Sequence, residues 1–204
     1  MTPRRFTDLS LREFFDAVSA KTPAPGGGAV AATTAALGAA LGRMVLAYSI
    51  GKKSLAPHDG ALREADRQLH TLREMFLRLG EEDAEAYALV NELQRLPEGD
   101  PRRAGLAAAV RTSIDVPRTV LGACVEMLRR LDDLTAITNP HLRSDLAIAG
   151  VLGEAGARSA WWNVRVNVAL LEDRAERDAL MLEADTLLGK AWTIREVIEG
   201  ACRA

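Results

Sequence analysis

Cysteine is nearly absent from this chain: Cys124 and Cys202 are the only two among 204 residues, and they form no CxxC pair. That excludes a disulfide framework and a thiolate zinc cluster, and buried free thiols in a reducing compartment are expected. Histidine is as scarce. His58, His70 and His141 stand apart and never as HxxxH, so no metal site is expected. Aromatic residues make up 4% of the chain, β-branched residues are sparse and no useful stretch alternates with period two, so no strand is expected. An excess of one charge is also missing. The 26 basic and 28 acidic side chains are interspersed, which argues against nucleic acid or a membrane surface as partner and leaves a small molecule or a protein. No long apolar run comes after Arg4 and Arg5, so no secretory signal is read and a cytoplasmic location is expected.

What is present is helical periodicity. Ser10-Leu-Arg-Glu13 has the form of a capping box, opening a short helix with Leu11, Phe14, Phe15 and Val18 on one face. Gly28 to Ile50 is rich in alanine and contains Gly38-x-x-x-Gly42. Alanine and glycine give little transfer energy and Lys52 and Lys53 come next, so a buried central helix is expected, not a membrane span. Leu62, Ala65, Leu69, Leu72, Phe76, Leu79, Asp83, Ala86, Val90 and Leu93 form a ten-position stripe at steps of three and four. Asp100-Pro101 starts another long helix, in which Pro117 produces either a kink or an end near Val116. Thr138-Asn139-Pro140 is a turn, Ser144 is read as the cap of the next helix, and a last helix spans about Arg174 to Glu199. The expected architecture is all-α: one helical-bundle domain over residues 1–204, with long helices and no internal repeat.

Three strings carry possible chemistry. Asp83 interrupts an apolar stripe; a carboxyl there loses hydration, its pKa rises, and it can exchange a proton near neutrality. The alternative is that the helix breaks at Gly80 and Asp83 caps a second helical segment. Pro25, Gly26, Gly27 and Gly28 enter the alanine-rich helix, and the free amides of a helix's first turn suit an anion or a polar heterocycle. The string lacks the lysine and hydroxyl of a P-loop, and a plain turn is the alternative. Lys52 and Lys53 complement the carbonyl end of that helix or bind an acidic tail, and Asp145 with Asn139 sits at a pocket edge or merely steadies a helix start. Asn163 and Asn167, four apart, share a face.

Lys21-Thr-Pro-Ala-Pro-Gly-Gly-Gly28, Ile50-Gly-Lys-Lys53 and Asp83-Ala-Glu-Ala-Tyr87, with Val116-Pro117, Asn139, Ser144-Asp145 and Asn163-Val-Arg-Val-Asn167, resemble the cyclodeaminase/cyclohydrolase family. The resemblance runs from Leu9 to about Leu171 and departs from the family's pattern at Ala29, Thr138 and the Trp161-Trp162 pair. It implies a dimeric all-helical enzyme acting on the C–N bonds of folate-bound one-carbon units, without metal or organic cofactor. By the same resemblance Asp83 is the catalytic acid, and Pro25, Gly26, Gly27, Gly28, Lys52, Lys53, Asn139 and Asp145 are the substrate-binding candidates. Either methenyltetrahydrofolate cyclohydrolase or formiminotetrahydrofolate cyclodeaminase activity is implied. A folate-binding module without catalysis is the rival.

Overall fold

A computed structural model describes residues 5–203. Six α-helices account for most of the chain, and no strand occurs among the described residues. They are α1 (Leu11–Ser19), α2 (Gly27–Ala47), α3 (Asp59–Arg95), α4 (Leu106–Leu134), α5 (Arg143–Val168) and α6 (Arg174–Arg203). In α1 the capping box forms as expected: the Glu13 carboxylate accepts from the Ser10 amide at 2.7 Å, and the Ser10 hydroxyl accepts from the Glu13 amide at 3.3 Å. Helix α2 packs along α3 and α5, while α4 lies against α3 and α5 and α6 closes the α4–α5 side. The apolar α2 is long enough to cross a membrane, but more than half of its most apolar window is buried against its neighbours.

Helix α3 runs unbroken through Gly80, which overturns the reading of Asp83 as a cap. The glycine serves as a seat for the N-terminal arm: a β-carbon on Gly80 would come within 2.8 Å of the Phe6 ring. Thr7 fastens the same arm, donating its amide and hydroxyl hydrogens to Glu81 at 2.9 and 2.8 Å. With Leu62, Leu69, Phe76, Leu79, Ala86, Val90 and Leu93 buried along one face, the bundle holds α3 straight enough to carry Asp83 inside it.

Helix α4 likewise continues past Pro117, so neither helix end is made there. Proline has no N–H for the carbonyl four residues back, which here belongs to Ser113. The Asn167 side-chain amide supplies the missing hydrogen, donating to that carbonyl at 2.5 Å. This explains one of the paired asparagines. Replacing Asn167 with alanine leaves a carbonyl unsatisfied inside the bundle, and a destabilisation of about 1–3 kcal/mol is expected by denaturant titration. In a Pro117→Ala background the restored N–H should shrink that loss.

Ser144 does not cap α5. Asn139 caps a single turn of 3-10 helix over Pro140–Leu142, its side chain accepting from the His141 amide at 3.3 Å, and α5 continues directly from it with Ser144 inside its first turn. The buried side of α5 is built of small residues, among them Ala149, Gly153, Gly156, Ala157 and Ala160. They let its backbone approach α2 closely: a β-carbon on Gly156 would meet Ala35 at 3.0 Å, and one on Gly38 would meet the Ala149 carbonyl at 3.0 Å. The larger Ile148, Trp162 and Val166 are consequently turned outward and exposed.

Candidate active site

Gly26 precedes the first residue of α2 in an extended conformation (φ −125°, ψ −154°), and no side chain caps the helix start. Its carbonyl already accepts from the Val30 amide at 3.1 Å, so the first-turn amides of Gly27 and Gly28 point toward whatever lies beyond the helix end. Asp83 lies there. A β-carbon on Gly28 would overlap the Asp83 carboxyl group outright, so glycine at this position leaves that carboxyl its place. One on Gly27 would meet the Asn163 side-chain oxygen at 3.5 Å. The glycine turn, the α3 aspartate and the α5 asparagine thus converge.

They line a recess of about 240 Å³ with Pro23, Ala84 and Tyr87. Beneath it a smaller space reaches Pro117 and Val120 of α4. Asn163 donates its side-chain amide to the Ser159 carbonyl at 3.0 Å, leaving its own oxygen toward Gly27. Tyr87 sits one helical turn from Asp83 on α3 and is half-exposed at the rim.

Burial pushes the Asp83 carboxyl up to about pH 6, and among the described residues no cation or hydrogen-bond donor pairs with it to pull it back. The dipole of α2 acts in the opposite sense by favouring the anion. A group between these influences can hold or release a proton at small cost near neutral pH. Thermodynamic linkage carries a sign. The unfolded acid, with its ordinary value of 3.8, ionises before the folded one, so the folded state is disfavoured increasingly as pH rises from about 4 to 6. The penalty is fully developed above pH 6 and is at most about 3 kcal/mol. Asp83→Asn should therefore melt higher than the unsubstituted protein at pH 8, with the gap closing toward pH 4; scanning calorimetry at both pH values reads it.

The remaining candidates lie elsewhere in the chain. Lys52 and Lys53 are exposed beyond the C-terminal end of α2, separated from the glycine turn by the whole helix, roughly 30 Å. Asn139 is buried at that same far end, its amide donating to the Ser49 hydroxyl at 2.9 Å, so it ties the α4–α5 connection to the end of α2. Asp145 is half-buried in the first turn of α5 close by. Within one chain these four form a group apart from Pro25, Gly26, Gly27, Gly28 and Asp83. Conversely, Asn163 and Tyr87 are not among the expected site residues. Their signal is the step of four from Asn163 to Asn167 and from Asp83 to Tyr87, but which face of each helix turns inward depends on packing partners far away in sequence.

This architecture defines an all-helical protein with a sheltered carboxyl, its pKa raised by burial, in a small recess beside an open helix start. Comparison with known proteins narrows the class. The family model described as formiminotransferase-cyclodeaminase matches residues 10–186, and the chain belongs to that family. It is 32% identical over 194 residues to the methenyltetrahydrofolate cyclohydrolase of Methylorubrum extorquens, covering 93% of each chain. It is 31% identical over 202 residues to mouse formimidoyltransferase-cyclodeaminase, spanning 97% of this chain but 37% of that longer protein. The crystal structure of formiminotetrahydrofolate cyclodeaminase from Thermotoga maritima superposes with a TM-score of 0.89 at 25% identity, over 97% of both chains.

Proposed function

We propose that this protein is an enzyme of folate one-carbon metabolism, a cytoplasmic homodimer that hydrolyses the C–N bond of 5,10-methenyltetrahydrofolate with no cofactor beyond the folate itself. The observation that carries the reading is the position of Asp83: sheltered, unpaired, titrating near neutrality and seated against the glycine turn. Water attacking the bridging carbon must lose a proton, the departing ring nitrogen must gain one, and the remaining hydroxyl proton passes to solvent as the C–N bond breaks and the formyl carbonyl forms. A carboxylate that takes the first and returns the second performs both transfers with one group. The first-turn amides at Gly27 and Gly28, with the Asn163 oxygen, supply polar contacts for the heterocycle or its carboxylate tail. The higher identity to the Methylorubrum cyclohydrolase, 32% against 25% for the Thermotoga structure, favours hydrolysis.

The second reading is cyclodeaminase chemistry, favoured by the name of the Thermotoga neighbour. There N10 attacks the formimino carbon on N5, ammonia leaves, and the same acid serves the proton transfers. Loss of the methenyl chromophore with purified protein is the expected result for the first reading. Appearance of that chromophore and release of ammonia from 5-formiminotetrahydrofolate is expected for the second. A protein that does neither yet binds folate is a binding module, and the catalytic reading falls.

A further inference from the structure

Asp83 has two unlike sides. Gly28, Asp83 and Asn163 border both the open recess and the smaller space beneath it, so the carboxyl stands on the boundary between the two. The recess admits water. The space beneath is closed by Ala31 of α2, Pro117 and Val120 of α4 and Ala160 of α5, and it leaves no room for a water molecule. All four of these residues are buried. Their side chains carry no hydrogen-bonding atom, and proline lacks even a backbone N–H.

Nor does a charge approach from the surrounding helices. Among the described residues, the Tyr87 phenol of α3 is the one other titratable side chain that borders either space. Arg118, next to Pro117, turns away to Asp115 and to Glu183 of α6, donating to each at 2.8 Å. Exclusion of water by apolar atoms is what acts on the acid from below, in keeping with burial as the cause of its raised pKa.

Proline is the costliest residue to place inside a helix, and Pro117 sits within α4 where that helix passes under Asp83. Its ring offers rigid carbon and no donor. A residue with an N–H at this position would satisfy the Ser113 carbonyl from within α4; here Asn167 does so from α5, one turn beyond Asn163. That bond ties α4 to α5 at the level of the floor.

We propose that Pro117 and Val120, with Ala31 and Ala160, keep water from the underside of the Asp83 carboxyl, and that Asn167 is a positioning residue that holds this floor in place through the Ser113 carbonyl. The floor stands on the packing of the helices alone. Its consequence for the rate rests on the folate reading.

Titration of the Asp83 carboxyl by carbon-13 NMR tests the floor without substrate, the signal being identified by its loss in Asp83→Asn. The midpoint should lie near pH 6 in the unsubstituted protein. Pro117→Ala opens the floor while restoring a helical N–H, and Val120→Thr sets a hydroxyl into it with little change of shape; each should lower the midpoint by about one pH unit. Val45→Thr makes the same exchange at a comparably buried position of α2, roughly 25 Å from Gly28 along the helix, and should leave the midpoint unchanged. Asn167→Ala should lower it in the parent and add nothing in Pro117→Ala, where the carbonyl has a donor of its own. An unmoved midpoint in both floor variants overturns the proposal, as does an equal movement in Val45→Thr, which would mean general loosening of the bundle. Should Pro117→Ala fail to fold, Val120→Thr decides by itself. Additive effects of Asn167→Ala and Pro117→Ala overturn the positioning role of Asn167. With the methenyl substrate, the acid limb of kcat/KM should move by the same interval as the midpoint. An inactive unsubstituted protein removes the proposed function and leaves the titration to judge the floor.

Discussion

Asp83→Asn should lower turnover of the methenyl substrate by about 100- to 10,000-fold, the range that general acid–base catalysis contributes. The substitution keeps the planar shape and most of the hydrogen-bonding capacity of the side chain and removes only its exchangeable acidity. Since burial alone holds the carboxyl near pH 6, the amide fits the same space without the charge that the bundle disfavours. Activity and stability should accordingly move in opposite directions: a large fall in the rate at pH 8 together with a higher melting temperature. In the unsubstituted protein, kcat/KM should rise as pH passes upward through about 6, because the attack step needs the basic form, and this limb should vanish from the residual activity of the variant. A variant of unchanged rate would eliminate Asp83 as the proton carrier, while a destabilised one would mean that the carboxyl had a partner in the fold after all.

Much of the architecture is legible in the residues because helices report their buried faces locally. The α3 stripe marks eight buried positions from Leu62 to Leu93, with Leu72 and Asp83 partly covered, and the capping box at Ser10 forms as written. Whatever depends on a distant element stays hidden. Gly80 and Pro117 look like breaks because their effect on an isolated helix is unfavourable; in the protein Phe6 occupies the space at Gly80 and Asn167 repairs the carbonyl freed at Pro117. Helix α5 illustrates the same limit from the other side. Ile148, Trp162 and Val166 suggest an inward face, yet close approach to α2 selects small residues there, and these three are left outside. The proximity of Asp83 to the glycine turn, 55 positions earlier in the chain at Gly28, could not be seen in any local window.

The second large effect is expected at Gly28. Within most helices, exchanging glycine for alanine favours the folded state by about 0.4–1 kcal/mol, as is expected for Gly122 of α4, whose added β-carbon would meet nothing within 4 Å. At Gly28 the same methyl group occupies the place of the Asp83 carboxyl, whose Cγ and both oxygens it would overlap. Backbone movement is opposed by Ala31, Ala32 and Ala35, all buried one and two turns further along α2, so the aspartate must yield by turning about its first side-chain torsion. It then points into the recess and toward water. Gly28→Ala should therefore fold with a melting temperature close to that of the parent while turnover falls about 100-fold, the loss that a misplacement near 1 Å can produce. Regained hydration should also draw the carboxyl back toward its ordinary range, moving the acid limb of the rate profile to lower pH. Because both substitutions then disable the same group, adding Asp83→Asn to Gly28→Ala should cost little further activity, a non-additivity that a double-mutant cycle measures directly. Full additivity of the two effects would mean that Gly28 acts through the ligand and not through the aspartate it makes room for.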